Sequence, residues 1–362
     1  MQTKYLSFLL LGGCLSSGSN DPVWTNIPLV NDGAVTRFAN DLVTDIYFSS
    51  PDHGYVATRG SNNTFSLGGA VFAISGSHVS IAFSGKNDKI NFTGLYPTPT
   101  GVAATSYAAD LIVGDSTGHF TTIMNGNLAG GEPVLAFNQT ASGTTLITKN
   151  GIVHTSPQPP GPQAQYVDVW APEVTENLPP DQCHEGPRGA GIPITRYSTY
   201  IGNGLIAYTA GPDSEPQICI STDGGKSFYP HNLNGQNDAT PTGVVFTSAQ
   251  NGITWSSDPV LRSYIQRTTD GGKTWHSVDL PETLANHRLR LNAGFFAPDG
   301  QHGWIVGYDL NKTHALGIAT TDGGETWSVV NGLGKNELYS GFALDATHVW
   351  FGGDWGTLLT LL

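Results

Sequence analysis

The sequence predicts an all-β fold built from a repeated unit, and three observations carry the prediction. An eight-residue phrase occurs three times, at 221–228, 268–275 and 320–327: Ser-Thr-Asp-Gly-Gly-Lys-Ser-Phe, Thr-Thr-Asp-Gly-Gly-Lys-Thr-Trp and Thr-Thr-Asp-Gly-Gly-Glu-Thr-Trp. Its aspartates, Asp223, Asp270 and Asp322, stand 47 and 52 residues apart, and a period of about 40–50 residues marks a repeat architecture such as a propeller. The composition agrees: 46 Gly and 22 Pro with only 12% charged residues, against a usual charged share of about 25%, describe a turn-rich chain. Finally, paired apolar runs separated by short polar turns recur along the chain, as at 294–297 and 303–307 (Gly-Phe-Phe-Ala, then Gly-Trp-Ile-Val-Gly). These read as hairpins of two buried strands.

The thrice-repeated phrase explains itself chemically. The Asp accepts from backbone N–H groups a few residues on, Gly-Gly takes the positive φ of a tight turn, and the Ser or Thr hydroxyls add local bonds. The aromatic that closes the phrase (Phe228, Trp275, Trp327) points back into the body, where such a side chain buries roughly 150–250 Å². Each phrase is thus a self-closing turn with an aromatic wedge.

The phrase resembles the Asp-box, or BNR repeat, found in sialidases, sortilin-type receptors, xyloglucanases and the photosystem II stability/assembly factor family. The resemblance implies a single β-propeller with the boxes at turns on the blade periphery, so that Asp223, Asp270 and Asp322 are structural and not catalytic.

Taken in order, the chain opens on a signal. One Lys, a short apolar run over 6–11 and Leu-Gly-Gly-Cys at 11–14 read as a secretory leader and not a spanning helix. Small residues directly before Cys14 resemble the bacterial lipobox. That implies a signal peptide over 1–13, lipidation of Cys14, a flexible tether over 14–22 and a propeller over 23–362; an ordinary signal peptide cut near Ser19 is the alternative. Residues 23–29 have the form of an outer strand with no box before them, whereas the C-terminus stops after what reads as a third strand. The N-terminal strand is therefore expected to complete the last blade, which protects exposed edges.

Between the ends, the clear hairpins place second strands at Gly54, Gly252, Gly303 and His348, and weaker candidates lie at 111–114, 145–148 and 205–208. The expected count is seven four-stranded blades. A Pro- and Gly-rich stretch over 155–195 reads as a loop insertion. With Cys14 removed, Cys183 and Cys219 remain, and an oxidising compartment makes a disulfide the expected state. Two unpaired thiols are the alternative, because spacing alone does not supply the required Cα separation of under about 7 Å. His184 and Glu185 beside Cys183 lack a second ligand pair, so no metal site is predicted, and no cofactor is expected. Sequons at Asn62, Asn91, Asn138 and Asn311 are incidental beside a lipobox.

Sixteen Lys plus Arg and a formal charge of −13 argue against a nucleic-acid partner, which needs a basic stripe. In a propeller, the residues just before the first strand or after the second strand of a blade face the central funnel. In this chain they are Arg37, Arg59, Asp115, Lys149, Arg288, Arg290, Tyr308, Asp309, Tyr339, Asp354 and Trp355. Arg288 and Arg290 alternate and would face one side of an extended segment, an arrangement suited to a carboxylate ligand or else a solvated rim pair.

A sialidase needs three arginines, a tyrosine nucleophile with a glutamate partner and an acid; its early Arg-Ile-Pro phrase is absent, and no Tyr and Glu pair is marked. A xyloglucanase uses a cleft between two propellers, and there is length for one. The photosystem II assembly factors and similar bacterial lipoproteins resemble the chain over most of its mature length, although their basic face is missing. The reading is a non-catalytic, monomeric scaffold, lipid-anchored at the outer side of a bacterial cell envelope, that binds a protein or surface glycan through its funnel face. The competing expectation is a glycoside hydrolase or lyase, for which Asp309, Asp354 and Asp115 would supply paired carboxylates roughly 5–9.5 Å apart.

Overall fold

The computed structural model describes residues 23–29, 41–60, 68–84, 90–99, 101–106, 110–115, 118–124, 134–140, 143–148, 153–157, 167–170, 183, 198–200, 204–210, 217–233, 241–256 and 263–361. These form seven four-stranded antiparallel sheets. The first sheet holds β2 (Leu42–Ser50), β3 (His53–Arg59), β4 (Ala70–Ser75) and β5 (His78–Ser84), and the second β6 (Phe92–Thr98), β7 (Gly101–Ser106), β8 (Leu111–Gly114) and β9 (Phe120–Met124). The third holds β10 (Val134–Thr140), β11 (Gly143–Thr148), β12 (Val153–Ser156) and β13 (Val167–Trp170), and the fourth β14 (Ser198–Tyr200), β15 (Leu205–Ala210), β16 (Gln217–Ser221) and β17 (Tyr229–Asn232). In the fifth are β18 (Pro241–Phe246), β19 (Gly252–Ser256), β20 (Ile265–Thr268) and β21 (His276–Val278), and in the sixth β22 (Leu289–Phe296), β23 (Gly303–Asp309), β24 (His314–Thr320) and β25 (Ser328–Val329). The seventh comprises β26 (Leu338–Ala343), β27 (Val349–Gly353), β28 (Leu358–Leu361) and, as its outermost strand, β1 (Trp24–Asn26).

That last pairing is the one the ends of the sequence predict. Trp24 pairs with Leu361 and Asn26 with Leu359, and the Trp24 ring stacks on Phe351 at 4.3 Å. The first and last sheets also pack together. Phe48 stacks on Trp350 at 3.8 Å, and the Ser340 hydroxyl donates to the Val43 carbonyl at 3.1 Å. First strands of neighbouring sheets lie against one another, β2 on β6, β6 on β10, β18 on β22 and β22 on β26.

Tight inter-sheet approach explains part of the glycine content. Trp255, fully buried, lies against Gly243 in its own sheet and Gly294 in the next, where added Cβ atoms would sit 2.1 and 2.7 Å from the indole. A Cβ on Gly352 would stand 2.3 Å from Val43 of the first sheet.

Two expectations change. Residues 111–114 form the third strand of the second sheet, and β7 is its second strand. The stretch was legible as apolar, but Gly101 begins a hairpin strand of small residues that carries no aromatic signal. The region 155–195 is also not all insertion, because the end of β12 and the whole of β13 fall inside it and complete the third sheet. Cys14, Arg37, Asn62, Lys149 and residues 171–182 and 184–197 lie outside the described residues. Cys183 is described, is buried, and is bonded to Cys219 with a Cα separation of 5.9 Å; the disulfide alternative is the one that forms.

Candidate functional site

Antiparallel alternation gives each sheet two ends. The Asp-boxes occupy the turns between third and fourth strands, and each is a closed hydrogen-bonded unit. Asp322 accepts from the Thr320 hydroxyl at 2.7 Å, the Glu325 and Thr326 N–H groups at 2.9 and 3.0 Å and the Thr326 hydroxyl at 2.6 Å. Asp270 and Asp223 repeat the pattern through Thr268 and Thr274, and through Ser221 and Ser227. Burial opposes the charge of Asp270, but the bonds from Thr274 and Thr268 outweigh it and hold the carboxyl at about 2. Gly271 and Gly272 take φ of 78° and 86°, and a Cβ on Gly272 would meet Ile220 of the preceding sheet at 2.1 Å. Trp275 (1% exposed) packs on Phe246, and Trp327 on Phe296. Every polar atom of the box carboxylates is occupied in holding a turn, so these are structural groups.

At the opposite end, where first strands begin and second strands finish, the seventh sheet gathers charge. Glu337, 8% exposed, sits directly ahead of β26. Its Oε2 accepts from Arg290 Nη1 and its Oε1 from Asn292 Nδ2, each at 2.9 Å, and the Asn292 amide also reaches the Leu338 carbonyl at 2.8 Å. Both partners come from β22, so Glu337 ties the sixth sheet to the seventh. The Tyr339 phenol lies beside the Glu337 and Asp354 carboxyls, and burial together with these two carboxylates pushes it well above the ordinary tyrosine range.

Asp354 opens the turn between β27 and β28. Burial and the neighbouring Glu337 charge push its carboxyl up to about 6, against the pull of Arg59, the Tyr339 hydrogen bond and Arg290. The Asp354 N–H donates to the Glu337 carbonyl at 2.9 Å and the Gly356 N–H to the Asp41 carbonyl at 2.7 Å, so the turn is fastened to the first sheet as well. Between these anchors Trp355 is held at φ 58° with 63% of its surface exposed, the left-handed region that a bulky residue enters only under restraint.

Of the sequence-predicted residues, Arg59, Arg290, Tyr339, Asp354 and Trp355 gather here, drawn from three sheets. Arg288 and Asp309 lie at the same end, one sheet over. Asp309 is buried and committed: it takes His287 Nδ1 at 2.7 Å and caps the N–H groups of Asn311 and Lys312 at 2.9 and 3.2 Å. Tyr308 is half-buried beside it. The alternating arginines do not act as a pair. Arg290 is engaged by Glu337, whereas Arg288 is exposed and its N–H donates to Asn311 Oδ1 at 2.9 Å. Asp115 follows a third strand and therefore sits at the Asp-box end, beside Tyr55, whose phenol burial and then Asp115 push upward. Asp115 is thus separated from Asp309 and Asp354, which share the other end of the blades. Sequence reading missed Glu337, Asn292 and Asp41. Glu337 occupies the position before a first strand, but a lone Glu after Lys335 and Asn336 reads as solvated loop. It also lies beside Tyr339, a proximity that no motif marks. Among the described residues no group of three or more His, Cys, Asp or Glu is placed to hold a metal.

The family model of the BNR/Asp-box repeat matches residues 266–277, the second of the three phrases. In solved structures the fold is similar to YCF48 bound to D1 peptide (13% identity, TM-score 0.65, 94% of this chain and 99% of the other). It is similar to YCF48 from Cyanidioschyzon merolae (13%, 0.66, 94% and 98%). The fold is that of a β-propeller, and the chain carries an Asp-box repeat. A more distant propeller likeness is the GH74 xyloglucanase from Xanthomonas campestris (13%, 0.56), where the chain covers 93% of itself but 53% of the enzyme. No curated protein sequence matches. On the propeller, the Glu337–Asp354 cluster and the boxes lie at opposite ends of the blades.

Proposed function

We propose that this propeller is a non-catalytic scaffold, tethered through a lipid on Cys14 to the outer side of a bacterial envelope membrane, that holds a protein partner at its funnel mouth as a monomer. The observation that carries the reading is the mouth cluster itself. Glu337 is bonded to Arg290 and Asn292 and the phenol of Tyr339 is held protonated, while one large aromatic, Trp355, is left exposed beside them. That is a recognition surface: an anchoring aromatic rimmed by polar groups. A structural neighbour described as bound to a D1 peptide supports protein binding by a fold of this kind.

The test is site-specific photo-crosslinking in cells producing the full chain, with p-benzoylphenylalanine at Trp355 and, as control, at the exposed Glu325 of the third Asp-box. A discrete adduct from position 355 alone is expected. No adduct from 355, or equal adducts from both ends, refutes the reading. Anchoring is tested by labelled palmitate, which should mark the parent and not Cys14→Ala.

A second reading, a glycoside hydrolase, is favoured by one observation: Tyr339 and Glu337 stand together beside Asp354, whose carboxyl is pushed up to about 6. A panel of 4-methylumbelliferyl glycosides decides it. Turnover abolished by Tyr339→Phe and Asp354→Asn would establish catalysis, and no turnover on any sugar ends it.

A further inference from the structure

The funnel mouth has a charge balance that selects the chemistry of its partner; the inference rests on the protein-partner reading above. Four groups act on Asp354: Arg59 from the end of β3, Arg290 from β22, and Glu337 and Tyr339 at the start of β26; Asp41, just ahead of β2, meets the same turn through its carbonyl. Arg290 is already matched to Glu337 at 2.9 Å. Asp41 is buried and accepts from the Thr58 hydroxyl at 3.2 Å. Three carboxylates therefore stand in this neighbourhood beside two guanidiniums; Asp354, half-buried at the turn, has Arg59 and Arg290 as nearby positive charges and Tyr339 beside it.

Two ligand classes compete for such a mouth. An anion would have to displace Glu337 from Arg290, and would approach against a chain of net charge −13. A cation is drawn by that field and supplies the charge Asp354 lacks. It also finds the exposed face of Trp355, the next residue in the turn, and an indole is the strongest aromatic partner for a guanidinium or ammonium. The turn is fixed on both sides by the bonds to Asp41 and Glu337, so little ordering is needed on binding.

The geometry points to Asp354 and Trp355 as a receptor for a basic side chain, an arginine or lysine presented by the partner protein, with the carboxylate taking the charge and the indole the face.

The probe is the peptide acetyl-Gly-Arg-Gly-amide, compared with its citrulline and glutamate counterparts. It is titrated into the full chain labelled with 5-fluorotryptophan, and the Trp355 fluorine resonance is assigned by its loss in Trp355→Phe. The arginine peptide should shift that resonance saturably, and the neutral and acidic peptides should not. Binding should weaken about tenfold from pH 7.5 to pH 5 as the carboxyl of a group titrating near 6 protonates. Asp354→Asn should weaken it at pH 7.5 and remove the pH dependence, and Asp115→Asn at the other end should leave it unchanged. Arg59→Gln, which deletes a competing cation and leaves Asp354 in place, should tighten binding several-fold. An equal shift with citrulline, a preference for the glutamate peptide, weaker binding in Arg59→Gln, or no shift with arginine each overturns the inference. If crosslinking from position 355 persists in that case, the scaffold reading stands without it.

Discussion

Replacing Asp354 by Asn should make this protein more stable at neutral pH, and the gain should vanish in acid. The folded carboxyl titrates near 6, against an ordinary aspartate value of 3.8. A carboxyl raised in the folded state binds its proton more tightly there, so folding is favoured at low pH and that contribution is lost as pH rises from about 4 through 6. Above pH 7 the ionised group is a net cost. A displacement of that size corresponds to an upper bound of about 3 kcal/mol, reduced because the residue is only half-buried, so roughly 1–3 kcal/mol is expected from Asp354→Asn. With an unfolding entropy of about 2.1 cal/mol/K per residue, a chain of 362 residues should gain about 1–4 °C in Tm. Thermal melts followed by circular dichroism at pH 7.5 and pH 4 test this. A variant less stable than the parent at pH 7.5, or a difference that does not shrink at pH 4, would contradict the electrostatic assignment. Because Asp354 is the proposed contact for a basic partner, the same substitution should cost binding, the exchange of stability for function that sites often show.

Other perturbations follow from the same geometry. Glu337→Ala removes the acceptor for Arg290 and Asn292; Arg290 is 39% exposed and can turn to water, so a loss of about 2–3 kcal/mol is expected. A double-mutant cycle with Arg290→Met should show coupling, and strict additivity would count against the link between sheets. Trp275→Ala empties a site that is 1% exposed and should cost about 3–5 kcal/mol by urea unfolding. The Cys183–Cys219 bridge closes a loop of sequence separation 36; dithiothreitol or Cys183→Ser should lower stability by about 2–4 kcal/mol. Thiol titration of the denatured parent should find neither cysteine free before reduction.

The repeat was fully legible in the sequence because its chemistry is local. Asp223, Asp270 and Asp322 bond to donors within four residues, so the phrase carries its own structure wherever it stands. The two orphan ends, 23–29 and 356–362, likewise announced that one strand completes a sheet begun at the other terminus, and β1 pairs with β28. Strand order was harder to read. The run 111–114 is apolar whichever strand it forms, and assigning it as a second strand put Asp115 at the wrong end of its blade.

The all-β class, the blade period, the Asp-box turns and the end at which polar candidates collect are thus written in the chain's local patterns. Which of those candidates meet is settled by packing alone. Arg59, Arg290, Glu337 and Asp354 are separated by up to nearly 300 positions, and their charges, burial and bonding exist only because the first, sixth and seventh sheets pack side by side. Electrostatics and desolvation depend on that proximity, and no local pattern in the chain encodes it.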